Sequence, residues 1–224
     1  MRKLSDSEVK EHIFDILCGF SGFCDQHGLR YYLSGGTLLG AVRHKGFIPW
    51  DDDVDVLMPR PDFDKLHELL KNENIKPFYK LISLQMGNSF WPFAKIIDTR
   101  THVENEYSNV DQHLWIDIFP MDGLPDDKKE SDLLLSKAEP LKKWINRCNA
   151  NIGKGKSFAR RILKIPMLLF LRIYTPERFG RKLDKLAHQY DFNKQEYVGG
   201  VAWSLGPNER MKNEDYTPYS DVEF

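Results

Sequence analysis

Acidic and apolar residues alternate from Asp53 to Met58, and this constrains the fold more than any other feature of the 224-residue chain. Period-two alternation marks a β-strand, because successive side chains point to opposite faces. Val54 and Val56 should therefore enter a core while Asp53 and Asp55 share the other face. Two adjacent carboxylates repel each other unless a cation sits between them. Their hard oxygens suit Mg2+ or Mn2+ bridging phosphates. Asp51 and Asp52 follow Pro49-Trp50 and read as a solvated acidic loop.

The residues around this strand extend the pattern. Leu29 to Leu33 reads as a short buried strand and Gly35-Gly36 as a turn. Thr37 is expected to cap a short helix that runs through Arg43 and stops near Gly46. Glycines before a helix let backbone N–H groups approach an anion closely, although a glycine pair also suits an ordinary turn. Asp117 lies between Ile116 and Ile118 on another apolar strand and is the candidate third carboxylate. Three such acids can hold metal for phosphoryl chemistry. Asp98, Asp111 and Asp122 compete for that place but look loop-like. Arg43, Lys45 and Lys95 are candidates to neutralise phosphates. For Arg43 and Lys45 the alternative is ordinary helix-end charge. Trp50, Trp91, Tyr107 and Trp115 offer faces for a cationic headgroup, or simply pack.

Elsewhere, Ser5 and Glu8 form a capping-box pattern. Val9, Ile13, Leu17, Phe20 and Cys24 then recur at helical spacing to about His27-Gly28. A second helix is expected from Pro61 to about Asn72. Tyr79 to Gln85, Phe93 to Asp98, His102 to Tyr107 and Leu114 to Phe119 read as strands. From Asp126 onward most of the chain reads helical, with a start at Thr175-Pro176-Glu177. The expectation is an α+β catalytic region over residues 1–125, followed by a mainly helical region over 126–224.

Thirty-two basic against 33 acidic residues leave no basic excess for nucleic-acid binding. Three cysteines without paired Cys or His spacing suggest reduced thiols in a cytosolic protein rather than disulfides or zinc. No apolar h-region follows the N-terminal Met-Arg-Lys, and the run from Ile165 to Leu171 is too short to span a bilayer. Residues 157–175 nevertheless mix cations with apolar side chains, as a peripheral contact with anionic lipid would. The alternative is a buried helix.

The string from Tyr32 to Pro59, with LSGGTLLGAVRHKGFIPWDDDVDV at its heart, closely resembles the LicD family, whose relatives include the fukutin-type transferases. FAKIIDTRT (Phe93 to Thr101) and WIDIFPMDG (Trp115 to Gly123) continue the resemblance. It implies a nucleotidyltransferase-like mixed sheet flanked by helices. It also implies Gly35 and Gly36 beside the donor phosphates, with Thr37 in the same turn a further substrate-binding candidate, and metal on Asp53, Asp55 and Asp117. Asp117 would hold a second metal or accept the hydroxyl proton. The implied donor is CDP-activated, with CDP-choline foremost. The implied acceptor is a hydroxyl of teichoic acid, lipopolysaccharide or another glycan, met at the cytoplasmic face of the membrane. Family members usually continue past the point where this sequence stops, which keeps a non-catalytic shortened paralogue in view. A nucleotide-sugar glycosyltransferase using an Asp-x-Asp metal site is the other alternative.

Overall fold

The computed structural model describes residues 2–104, 113–149, 175–203, 210–216 and 220–224. Helix α1 (Asp6–His27) opens with the expected capping box between Ser5 and Glu8 and ends at Gly28, whose φ of 61° is left-handed. Strand β1 is only Tyr32–Leu33, because Arg30 is taken by its backbone and guanidinium to Asp62. Helix α2 runs Gly35–His44, β2 Asp55–Pro59 and α3 Arg60–Leu70. Strands β3 (Tyr79–Ser83), β4 (Ala94–Asp98) and β5 (Leu114–Leu124) follow. Then come α4 (Lys128–Asn149), α5 (Pro176–Ala187), β6 (Tyr197–Gly199), β7 (Met211–Lys212) and α6 (Asn213–Tyr216).

The first five strands order as β1-β2-β5-β4-β3, and β6 and β7 continue from the far end of β5. Among the described residues only β2 and β5 run parallel, and the other pairs are antiparallel. Even-numbered residues of the central strands face one way. Val54, Val56, Met58, Ala94, Ile96, Leu114, Ile116 and Ile118 pack against Ile16, Phe20, Phe63 and Leu66 of α1 and α3. The odd-numbered face carries Leu57, Phe93, Phe119 and Met121, covered by Phe192, Val198 and Trp203 from the C-terminal part. Apolar alternation thus buries one face completely and the other only in part. Along β2, β4 and β5 the polar odd positions are Asp55, Lys95 and Asp117.

Helices α4 and α5 pack together through Leu134, Ala138, Ile145, Phe179 and Leu183 at the end of β5 marked by Leu124. Arg60 at the start of α3 reaches Asp122 in β5 at 2.6 Å and lies 3.9 Å from Asp184 of α5. Arg60 thus links α3, β5 and α5.

Several expectations need correcting. The C-terminal region contains strands β6 and β7 as well as helices. Residues 102–104 are not a strand, and Tyr107 and Asp111 lie outside the described residues. Asp122, expected in a loop, and Asp98, expected at a loop-like strand end, are fully buried strand residues. Arg100 holds Asp98 at 2.6 Å, and Arg60 holds Asp122. Strand β5 runs five residues past Phe119, because Met58 and Pro59 still pair with Pro120 and Met121 and β6 pairs with Asp122 to Leu124. The segment 157–175, the expected membrane contact, falls almost wholly outside the described residues. Among the described residues no helix is long and apolar enough to cross a membrane.

Candidate active site

The site forms where the N-terminus of α2 meets the start of β2. The Asp55 N–H donates to Thr37 Oγ1 at 2.9 Å, and the Asp55 carbonyl accepts from the Ser34 N–H at 3.0 Å. These bonds fix Asp55 against the first turn of α2. The helix begins at Gly35 rather than at Thr37, with Ser34 as a cap that makes no side-chain bond. Thr37 is buried, and its hydroxyl is committed to the Asp55 backbone. It therefore frames the site instead of lining it.

Gly35 is required by its backbone conformation and Gly36 by close approach. Gly35 has a φ of 51°, and a Cβ there would lie 3.7 Å from Asp55 Oδ2. A Cβ on Gly36 would collide with Asp51 Oδ2. Two carboxylates therefore stand directly over the helix N-terminus, whose partial positive charge favours anions. Asp51 belongs to this cluster and is not a free loop acid: it is half-buried, and its charge helps to raise the pKa of Asp53. Asp52 is exposed.

The third carboxylate arrives through strand register. Asp55 and Asp117 are Cα partners on the parallel pair β2–β5, and the ladder reaches one residue further, with the Asp117 N–H donating to the Val54 carbonyl at 2.9 Å. Asp53 precedes the strand rather than lying in it. Lys95 is the Cα partner of Asp117 on β4, and its Nζ lies 3.4 Å from Asp117 Oδ1. The Lys95 ammonium also sits 4.1 Å from the centroid of the Trp115 ring. The Trp115 Nε1–H donates to Asp117 Oδ2 at 2.8 Å.

Crowding of like charge is visible in the acids themselves. Burial, then the charges of Asp117, Asp53 and Asp51, push Asp55 up to about 7, with Lys95 pulling the other way. Asp53 is more open, yet burial, Asp51, Asp117 and Asp52 push it up to about 6. A divalent cation would relieve this repulsion, and oxygen donors are its natural ligands. The residues fit Mg2+ or Mn2+ in chemistry and charge. Among the described residues no three acidic, histidine or cysteine side chains already converge as a finished coordination shell.

The structure does not bring every candidate to this point. Arg43 is exposed in the last turn of α2, and Lys45 caps its C-terminal end. Ten residues of helix separate Gly35 from Lys45, a rise of roughly 15 Å. Lys45 pairs with Glu223 at 2.6 Å. The aromatic candidates also disperse. Trp50 is 85% exposed, and Trp91 packs on Phe93 and Trp203. Among the described aromatic candidates only Trp115 is hydrogen-bonded to one of the acids. Sequence reasoning missed Asp51 and the indole bond; the spacing Trp115-x-Asp117, two residues along one strand face, was the available signal for the latter.

Comparison with known proteins places the site within a recognisable sequence group. Residues 28–141 match the family described as LicD/FKTN/FKRP, nucleotidyltransferase domain. The chain is 29% identical over 211 residues to the lipopolysaccharide cholinephosphotransferase LicD of Haemophilus influenzae, covering 92% of this chain and 77% of that protein. It is 57% identical over 35 residues to the human ribitol 5-phosphate transferase FKRP, covering 16% of this chain and 7% of that protein. An uncharacterised protein of Rickettsia prowazekii is 33% identical over 76 residues, or 30% of this chain and 29% of its own length.

Proposed function

This chain belongs to the LicD family, and we propose that it transfers phosphocholine from CDP-choline to a hydroxyl of a cell-surface glycan such as lipopolysaccharide or teichoic acid. The observation that carries the reading is the parallel register of Asp55 with Asp117 beside the glycine-rich start of α2. A site rich in oxygen ligands beside a helix N-terminus suits a nucleoside diphosphate donor carried with a cation.

Asp53, Asp55 and Asp117 would hold Mg2+ or Mn2+, which supplies neutralisation of the donor phosphates. The first turn of α2 at Gly35-Gly36 would face the diphosphate across the Asp51 and Asp55 carboxylates, and Lys95 adds a cation on the same sheet face. An acceptor hydroxyl attacks the phosphorus that bears choline. The new P–O bond forms as the bond to CMP breaks, and the hydroxyl proton passes to the carboxylate cluster. Positioning and charge stabilisation carry the catalysis, as in phosphoryl transfer generally. The activity is assigned to the cytoplasmic face of the membrane, where a nucleotide donor is at hand.

A mass-spectrometric donor screen tests this. Purified protein with Mg2+ and a glycan acceptor is offered CDP-choline, CDP-ribitol, CDP-glycerol and UDP-sugars. Release of CMP with phosphocholine on the acceptor is expected. Ribitol phosphate is the specific second reading, favoured by the higher identity to FKRP over its short match; the similarity along most of the chain favours choline. Sugar transfer with UDP release would replace the proposal by a glycosyltransferase. Donor binding without product would make the chain a non-catalytic relative.

A further inference from the structure

We infer that Trp115 is a positioning residue whose indole N–H holds the Asp117 carboxylate beside Asp55 in the orientation that cation binding needs. The inference rests on the reading of Asp53, Asp55 and Asp117 as a cation site. It assigns a role to a side chain that has no place in the transfer chemistry itself.

The argument begins with repulsion. Asp55 and Asp117 are Cα partners on parallel strands and therefore lie side by side on one face. Each disfavours the charge of the other. An unrestrained Asp117 would rotate about Cα–Cβ and Cβ–Cγ to turn its oxygens away. Two contacts oppose that rotation, and they act on different oxygens. Trp115 Nε1 donates to Oδ2 at 2.8 Å, and Lys95 Nζ lies 3.4 Å from Oδ1. Turning the carboxylate away would disrupt both.

The strand explains why tryptophan can do this. Residues 115 and 117 share a face of β5, separated by roughly 6.6 Å along the strand. The indole is long enough to reach along the strand and end in a donor. Phenylalanine would fill the same space and offer the same face to Lys95, which sits 4.1 Å from the ring centroid, but it has no N–H. An indole N–H directed at a carboxylate is charge-assisted and directional. Groups that orient a ligating side chain in this way influence metal affinity strongly.

Trp115→Phe separates orientation from packing. Calorimetric Mn2+ titration of the whole chain should show roughly tenfold weaker binding in the variant. In turnover assays the variant should need more Mg2+ for half-maximal rate, with the KM for CDP-choline unchanged, and saturating Mg2+ should restore kcat. A merely structural defect would lower kcat at every Mg2+ concentration. Asp117→Ala, which leaves Trp115 in place, gives a second readout: the indole N–H resonance that Trp115→Phe removes should move upfield when its acceptor is deleted. Equal Mn2+ affinity in parent and Trp115→Phe protein, or an indole resonance indifferent to Asp117→Ala, would overturn the inference while leaving the functional reading intact. A parent protein that takes up no Mn2+ would overturn the functional reading, and this inference with it.

Discussion

Gly36 and Gly35 sit next to each other yet answer to different constraints, and substitution separates them. A Cβ on Gly36 meets Asp51 Oδ2 in a helical position where alanine is otherwise favoured. Gly36→Ala should therefore leave the melting temperature nearly unchanged while displacing Asp51, and kcat/KM should fall at least ~10-fold, a loss of about 1.4 kcal/mol of transition-state stabilisation. Gly35 instead has a left-handed φ of 51° and only an ordinary contact with Asp55. Gly35→Ala should cost about 1–2 kcal/mol of stability, read from denaturant midpoints. Reversal of this pattern would show that the glycines serve only the helix start. Both glycines stood out in the sequence, but the groups they admit did not. The bare string suggested an external anion, whereas the groups over the helix start are the chain's own Asp51 and Asp55.

At the scale of elements, Thr37 joins α2 to β2 by accepting the Asp55 N–H at 2.9 Å. Thr37→Val keeps the shape and removes the acceptor, leaving a backbone donor without its partner at a half-buried strand start. The expected cost is about 1–3 kcal/mol, with the activity loss exceeding what the unfolded fraction explains, because Asp55 is released from α2. A stability change below the error of urea titration would show that the bond is dispensable. Alternation in residues 53–58 correctly foretold which face of β2 is core, since Val54 and Val56 are buried. It placed the strand start two residues early, because Asp53 alternates in pattern without pairing. Strands β6 and β7, three and two residues long, are too short to show any period. Asp122 looked loop-like in the sequence. Gly123 is in fact in a strand, where a Cβ would lie 2.8 Å from the Tyr190 carbonyl oxygen. Glycine there marks close backbone approach.

Across the whole molecule, charge contacts join the C-terminal helices to the sheet, and sequence alone could not pair residues so far apart in the chain. Arg60 and Asp122 are both buried. Arg60→Met would strand the carboxylate, costing about 3–5 kcal/mol, and Arg60→Met with Asp122→Leu should recover much of that loss in chemical denaturation. No recovery would mean that Arg60 acts through Asp64 or Asp184 instead. His188 at the end of α5 lies 3.4 Å from Asp64 of α3. Its hydrogen bond to Asp64 raises the His188 pKa above the ordinary imidazole value. A raised folded-state pKa contributes stability that is present in full below about pH 6.5 and is lost as pH rises through the raised value. The melting temperature should therefore decline across that window in the parent more than in His188→Gln. Parallel declines would remove this contact from the stability of the fold.

The measurement that tests the central claim most directly is CMP release from CDP-choline in the presence of Mg2+ and a glycan acceptor, compared between the parent, Asp53→Asn and Asp55→Asn, each with and without EDTA. The account predicts CMP and phosphocholine-bearing product from the parent, a loss of at least ~100-fold in either variant, and the same loss in the parent with EDTA, while circular dichroism shows all three proteins folded. Undiminished turnover in EDTA, or an Asp55→Asn protein as active as the parent, would contradict it.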